Sequence, residues 1–396
     1  MIAVVGAGPA GLRAAEVARA AGVPVTIFDA QRSAGRKFLV AGRGGLNLTH
    51  SEPVENFPAR YVDQPERWRE LLAEFSPDDL RQWADKLTVD TYVGTSGRVF
   101  PRGQKAAVLL RAWSERLRAR GVGFEFGCRL IFLAHDGGRW GLRFRTDAGE
   151  RQVPADAVIL ALGGASWPDT GSDGAWPELL RAHDLKIAGW QPANCGWEVE
   201  WPAELLARAE GQPLKNLSVS AGTECVSGEL LITRYGLEGG AIYRLGRTLR
   251  TLSPPVITID FKPQLSVEQL SDRAASSRTN ADRFRAWKLS PAAIALLETS
   301  PRLTDANALE IVQRFPVSLV RPRPIAEAIS SAGGIAWNEL DGSLMLKKMP
   351  GVFATGEMID WEAPTGGYLL QGCFSTGTRA GRGAAEFVLS PAARIG

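Results

Sequence analysis

The 396-residue sequence predicts an α/β domain interrupted by an inserted, β-barrel-like domain with a helical subdomain, and three observations predict it. An apolar run, Ile2-Ala3-Val4-Val5, passes straight into the glycine-rich turn Gly6-Ala7-Gly8-Pro9-Ala10-Gly11. From about Gln191 the texture changes to short β-like runs broken by Pro and Gly, and then to helix. From Gly333 the α/β character returns and closes on a helical stretch, residues 368–389.

Each element follows from its pattern. A continuous apolar run of four marks a strand covered on both faces. Leu12, Ala15, Val17, Ala18 and Ala21 recur at near-helical spacing, and Gly22 caps the helix they predict. Residues 23–28 read as the second strand. Residues 105–120 read as an amphipathic helix, 123–126 and 130–133 as strands, and 157–162 as another buried strand ending in Gly163-Gly164. In the middle region, residues 197–201, 217–221, 229–233 and 256–261 read as strands of a small antiparallel sheet or barrel. Residues 266–320 read as helical, broken at Pro291, Pro301 and Pro316. The expected boundaries are 1–190 for the first part of the α/β domain, 191–265 for the β insertion, 266–325 for the helices and 326–396 for the returning part.

Composition narrows the class without naming a partner. Hydrophobic residues at 45% and charged residues at 22% suit a globular protein, and a net charge of +3 selects no ligand. One stretch stands out: residues 244–288 hold nine Lys/Arg against four Asp/Glu, a net of +5. Four cysteines without a CxxC pair fit a reducing compartment, and His50, His135 and His183 are too scattered for a histidine metal site. No segment has the length of apolar chain that a membrane span requires. A buried strand at the first residues leaves no room for a signal peptide, so the expectation is a cytoplasmic protein.

The chemistry begins at the first turn. Gly6 permits the tight turn, Gly8 lets a pyrophosphate approach the backbone, and Gly11 allows close helix–strand packing. The helix start beyond Gly8 offers free N–H groups and positive dipole to phosphate. Asp29, at the end of the second strand, is placed to accept hydrogen bonds from a ribose diol, with Ala30 beside it. This unit serves NAD and FAD alike. Gly35-Arg36-Lys37 and the loop Gly42-Arg43-Gly44-Gly45-Leu46-Asn47 favour FAD, whose pyrophosphate and isoalloxazine need a second backbone approach. Ala161, Gly163 and Gly164 form a strand-plus-glycine turn that closes over FAD, and Leu130 joins the candidate contacts. At the C-terminal end, Gly356, Glu357, Asp360, Thr365, Gly366, Gly367, Tyr368, Leu369 and Leu370 are expected to clamp the flavin. A helix starting there would aim its N–H groups at the oxygen edge of the ring. The predicted fold is therefore a two-dinucleotide-binding-type Rossmann domain for FAD, split by the insertion.

These segments resemble the HI0933-like family of flavoproteins, in its aminoacetone-oxidase-type branch. The residues that carry the resemblance are the opening turn, the 35–37 and 42–47 loops, and Gly97-Arg98-Val99-Phe100-Pro101. Gly163-Gly164-Ala165-Ser166-Trp167-Pro168 with Thr170-Gly171, Ala332-Gly333-Gly334-Ile335, and Gly356-Glu357 through Asp360 to Tyr368 complete it. The resemblance implies FAD, a Rossmann domain split by a β-barrel and a helical piece, and an oxidoreductase activity that the label leaves open. The family loop usually reads Gly-Gly-Gly-Arg-Cys-Asn-Val-Thr. Here the cysteine is missing, which removes a thiol-based role at that point.

Several residues admit two readings. Cys373 reads first as a packing residue and second as a redox thiol; Tyr368 reads first as packing and second as a ring contact or proton donor. Arg98 and Arg102 would bind an anionic substrate or tie down their loop. Of the twelve tryptophans, Trp167 and Trp361 adjoin cofactor loops and are the two candidates for pocket lining. No second glycine fingerprint follows a strand in the middle region, so NAD(P)H would act as a visiting electron donor. The expected function is FAD-dependent hydride transfer at flavin N5 to or from a small organic molecule. The alternative is an RNA-associated flavoprotein that uses the basic stretch 244–288.

Overall fold

A computed structural model describes residues 1–42, 44–61, 63–103 and 105–390. The chain divides into two compact units, one made of Met1–Gln191 with Ser330–Gly396 and the other of Pro192–Ile329.

The first unit is built on a five-stranded parallel sheet. Its order is Val352–Ala354, Ala157–Leu160, Ile2–Val5, Val25–Asp29, Gly123–Phe126. Every residue of the central strand Ile2–Val5 is buried, as an apolar run with neighbours on both sides requires. Ile2 sits opposite both Val25 and Ala157, so the register places the carboxyl ends of these strands side by side. A three-stranded antiparallel sheet, Arg129–Asp136, Arg139–Thr146 and Gly149–Ala155, follows the fifth strand in sequence; Phe144 stacks on Phe28 at 4.5 Å.

Helix Pro9–Ala20 packs on the last helix, Tyr368–Leu389. Small residues permit the approach: a Cβ on Gly377 would lie 2.6 Å from the Ala10 carbonyl oxygen. The same helix carries a buried acid, Glu16, which accepts from Arg116 Nη2 at 2.6 Å and from Trp83 Nε1 at 2.9 Å, with Arg13 Nη1 at 3.2 Å. A buried carboxylate persists when its charge and lone pairs are met in this way. The first and last segments of the chain thus complete one core.

The second unit is a six-stranded antiparallel sheet with its own core. The order is Trp197–Glu198, Gly236–Glu238, Glu224–Thr233, Pro213–Ala221, Val256–Asp260, Phe315–Ser318. Beyond the last strand, the Val320 N–H donates to the Glu198 carbonyl and the Glu198 N–H to that of Arg321, both at 2.9 Å. The barrel-like insertion is visible as this half-barrel sheet. Two local expectations need correction. The helical stretch ends at Ala308–Gln313, and Phe315–Ser318 is a strand, because Phe315 and Val317 alternate inward against Ile259 and Ile257. The stretch 191–265, expected as an antiparallel β insertion, also holds the helix Ala203–Ala209 and the longer helix Gly240–Thr251. Ala241, Ile242, Leu245 and Leu249 fill its inner face and leave Arg244 and Arg247 exposed. Among the described residues, no helix is long and apolar enough to cross a membrane.

Candidate cofactor site

A cavity of about 440 Å³ opens at the carboxyl ends of the parallel strands in the first unit. This is where open α/β sheets hold ligands, since each strand end there feeds a loop. The cavity gathers Gly6, Ala7, Gly8, Pro9, Ala10, Asp29, Ala30, Gly35, Arg36, Lys37, Leu130, Ala161, Gly163, Gly356 and Glu357.

The glycine turn divides its labour by space. Gly6 has φ 110°, and a Cβ there would lie 2.2 Å from the Ala161 carbonyl oxygen. Gly11, outside the cavity wall, faces inward, where a Cβ would come within 1.9 Å of the Gly6 carbonyl oxygen. Gly8 has nothing within 4 Å of its Cβ direction. It caps helix Pro9–Ala20 without a side-chain hydrogen bond, which leaves the first-turn N–H groups to a ligand.

Asp29 is fixed by the turn itself. One carboxylate oxygen accepts from the Ala7 N–H at 2.6 Å, the other from the Gln31 N–H at 2.7 Å. Burial pushes its pKa up, against those two hydrogen bonds and the charges of Arg36 and Arg129. Lys37 Nζ donates to Ser166 Oγ at 2.7 Å and to Glu357 Oε2 at 2.8 Å, so these two cavity charges neutralise one another. Cys373 joins the wall from the last helix; burial and the nearby Glu357 push its thiol up, with Lys37 opposing, and it stays protonated.

Two polar atoms test the fit of a dinucleotide. Thr355 lies in the wall, fully buried, and its Oγ1 has no hydrogen-bond partner among the described residues. Asn47 Oδ1, in the loop expected near the flavin, is likewise buried without a partner among them. An orphaned buried polar group costs about 1–3 kcal/mol. In the cavity itself, a hydroxyl that can donate, an open glycine and an uncapped helix start together fit FAD; Asn47 does not line it.

The remaining candidates do not line this cavity. Gly42 packs against the helix Ala106–Ala119, where a Cβ would meet that of Ala106 at 2.4 Å; Gly44 faces open space, Gly45 has φ 109° and Leu46 belongs to the core. Arg43 lies outside the described residues. Gly164 approaches Ser331, whose Oγ accepts from the Ala165 N–H at 3.0 Å. Asp360 accepts from the Gly333 N–H at 3.1 Å, tying two loops together. Leu369 and Leu370 pack partly buried against the core, and Thr365 is half-buried.

Gly366 and Gly367 form a left-handed turn before Tyr368, and a Cβ on Gly367 would lie 2.5 Å from Thr49 backbone atoms, so its Cβ direction is closed. Tyr368 donates its hydroxyl to Glu52 at 2.7 Å and stacks on His50 at 5.4 Å. Arg60 grips the same carboxylate at 3.0 and 2.6 Å. Trp361 is core, stacked edge-on to Tyr61 and Trp68. Sequence reasoning missed Thr355, although it sits beside Gly356, and missed the wall formed by Thr170, Gly171, Ser172 and Trp176. The quoted motif around Ser166 was the available signal for the latter.

Comparison with known proteins agrees with this geometry. A family model described as the HI0933-like protein Rossmann domain matches residues 1–383. The chain is 27% identical over 416 residues to a 3-dehydro-bile acid delta(4,6)-reductase of Clostridium scindens, covering 97% of this chain and 99% of that protein. It is 23% identical over 389 residues to a ribosomal RNA dihydrouridine synthase of Escherichia coli, covering 94% and 95%. Its fold is similar to that of 3-ketosteroid-delta4-(5alpha)-dehydrogenase from Rhodococcus jostii RHA1, with a TM-score of 0.54, 17% identity, and 97% and 96% of the two chains covered. The glycine turn, the parallel sheet and the match over nearly the full length lead to one statement: the chain belongs to the HI0933-like family and has its mixed α/β, Rossmann-type flavoprotein fold.

Proposed function

We propose that this protein is an FAD-dependent reductase of carbon–carbon double bonds conjugated to a carbonyl group. The observation that carries the reading is the pair of relatives. A bile acid delta(4,6)-reductase and a dihydrouridine synthase are named for unlike substrates, yet both names describe saturation of a double bond beside a carbonyl. In the balanced reaction one alkene carbon gains hydride and the other gains a proton, while a visiting NAD(P)H is oxidised. Bound FAD supplies the N5 centre through which flavoenzymes pass hydride.

The chain's own residues bind and orient. Gly8 and the helix start at Pro9 take the pyrophosphate, and Asp29 takes the ribose. Thr355 Oγ1, in the cavity wall, would find its missing partner on the cofactor. The Lys37–Glu357 pair keeps the wall neutral, and the protonated Cys373 supplies apolar bulk. The reading implies a small-molecule substrate and fits a cytoplasmic setting, where the four free cysteines would stay reduced.

The test is anaerobic. The flavin of the purified holoprotein is reduced with NADPH or NADH and then mixed with 4-androstene-3,17-dione or a uridine oligonucleotide. Reoxidation by one of these, with formation of the saturated product, is the expected result. Reoxidation by oxygen alone, or flavin reduction by an amine, contradicts the reading.

A second reading makes RNA the substrate carrier. It draws on the dihydrouridine synthase relative and on a cationic cluster in the second unit. There Lys262 Nζ donates to the Lys288 carbonyl at 2.8 Å, and burial together with the charges of Arg273 and Lys288 pushes the Lys262 pKa down. Phosphate contacts of this kind predict RNA binding that weakens steeply with salt. Absence of binding to ribosomal RNA at low salt would remove this reading and leave the first.

A further inference from the structure

Eleven of the twelve tryptophans are buried or half-buried, and Trp167 alone is exposed, at 38%. It also has the left-handed backbone conformation, φ 56° and ψ 60°, which a bulky side chain adopts at a cost. Such strain persists only where the surroundings impose it, and here they do. Gly163 O accepts from Trp176 Nε1 at 2.8 Å, and Gly164 O accepts from Ser172 Oγ at 2.7 Å. On one side of Trp167, Ser166 is fully buried and holds Lys37; on the other, Thr170 donates from both N–H and hydroxyl to the Trp167 carbonyl. The Asp169 carbonyl accepts from Arg36 Nη2 at 3.3 Å. Lys37, Arg36 and Thr170 all line the cofactor cavity. The loop is therefore pinned at nearly every residue, and it carries one exposed indole three residues before Thr170 of the cavity wall.

A strained, exposed tryptophan is a poor choice for stability alone: glycine or asparagine would hold this backbone with less strain and expose less apolar surface. A planar ring held in a pinned loop suits a planar partner. We propose that Trp167 is the substrate-stacking platform of the enzyme, and that it recognises a flat ring bearing a conjugated carbonyl. The proposal rests on the reductase reading above. An electron-rich indole face attracts an electron-poor conjugated carbonyl ring, and stacking of this kind tolerates different ring substituents. A steroid enone and a uracil share that chemistry and differ in everything else. Trp361 has no such role, since it is enclosed by Tyr61 and Trp68 and spends its indole N–H on the Gly356 carbonyl at 2.8 Å.

The experiment uses FAD-loaded wild type, Trp167→Phe, Trp167→Ala and Trp167→Gly, the last of which accepts the backbone conformation without strain. Binding of 4-androstene-3,17-dione and of a uridine oligonucleotide is read from the perturbation of the oxidised flavin spectrum. Melting temperature, FAD content and the rate of flavin reduction by NADPH are measured alongside. Wild type is expected to bind one of the two probes, which identifies the source of the ring. Trp167→Ala and Trp167→Gly should weaken that probe about tenfold, and Trp167→Phe should recover most of the loss. FAD content and reduction rate should hold, and the melting temperature of Trp167→Gly should equal or exceed that of wild type. Probe affinity within twofold of wild type in Trp167→Ala overturns the platform while leaving the reductase reading intact. Loss of FAD from the variants at unchanged probe affinity overturns it too, by making the residue a cofactor clamp. If wild type neither binds nor reduces either probe, the reductase reading fails and the platform fails with it.

Discussion

Two glycine turns start helices in the first unit, and neither helix start is capped by a side chain. The capping glycine before Pro9 is extended, φ −77°, and the one before Tyr368 is left-handed, φ 105°. They differ in what lies in front of them. Gly8 faces open cavity, whereas Gly367 is closed by the backbone of Thr49. A glycine before a helix lines an open cavity in one place and packs on backbone in the other. What separates the two is conformation and space, and the space is set by a distant segment of chain.

A single added methyl group should act differently at the two turns. The largest effects should come where a Cβ would strike backbone. Gly6→Ala and Gly367→Ala should each cost about 4 kcal/mol or more, read as a fall in melting temperature with or without FAD. Gly8→Ala should leave the melting temperature of the apoprotein nearly unchanged and weaken FAD by about 1.4–3 kcal/mol, roughly 10- to 150-fold, by calorimetric titration. A Gly8→Ala protein that melts as early as Gly6→Ala would erase the distinction between the open and the packed glycine.

Thr355→Val probes the opposite wall of the cavity. Removing an orphaned hydroxyl should stabilise the apoprotein by about 1 kcal/mol and weaken FAD by a similar amount, so the melting curves of apo and holo forms should converge. The smallest effect concerns the closed turn. Burial opposes ionisation of Glu52, but hydrogen bonds from Arg60 and Tyr368 outweigh it and hold its pKa below the ordinary value. Its stabilisation is therefore complete above the unfolded pKa and is lost as pH falls through the lower folded one. Arg60→Gln should cost at most about 1 kcal/mol at neutral pH, because the guanidinium is partly exposed, and the loss should vanish in acid. Denaturant midpoints between neutral pH and pH 3 measure it.

What was legible in the sequence was local. The opening strand, turn and helix depend on neighbours within a dozen residues, and they stand where the pattern of Ile2 to Gly11 puts them. The FAD-favouring residues at 35–37 line the same cavity as the opening turn because short connections leave them few alternatives. The 365–370 turn was read as a clamp because its glycines and helix start have the right form; the packing of Thr49 against Gly367 joins segments too far apart in sequence to be foreseen. Thr355 was invisible for the converse reason, since a hydroxyl becomes orphaned only when everything around it is paired elsewhere. Trp167 and Trp361 were indistinguishable as neighbours of glycine motifs, and burial alone separates them. The strand Phe315–Ser318 was taken for helix because its alternation spans only four residues and follows a helical run.

The cavity in front of Gly8 is the proposed flavin site. The direct measurement is titration of FAD into flavin-free protein, followed by fluorescence quenching and calorimetry, for wild type and Gly8→Ala together. Wild type should take up one FAD per chain with a rise in melting temperature, and Gly8→Ala should fold equally well but bind weakly. Folded wild-type protein that takes up no FAD, or a Gly8→Ala variant that binds it as tightly, would contradict the account.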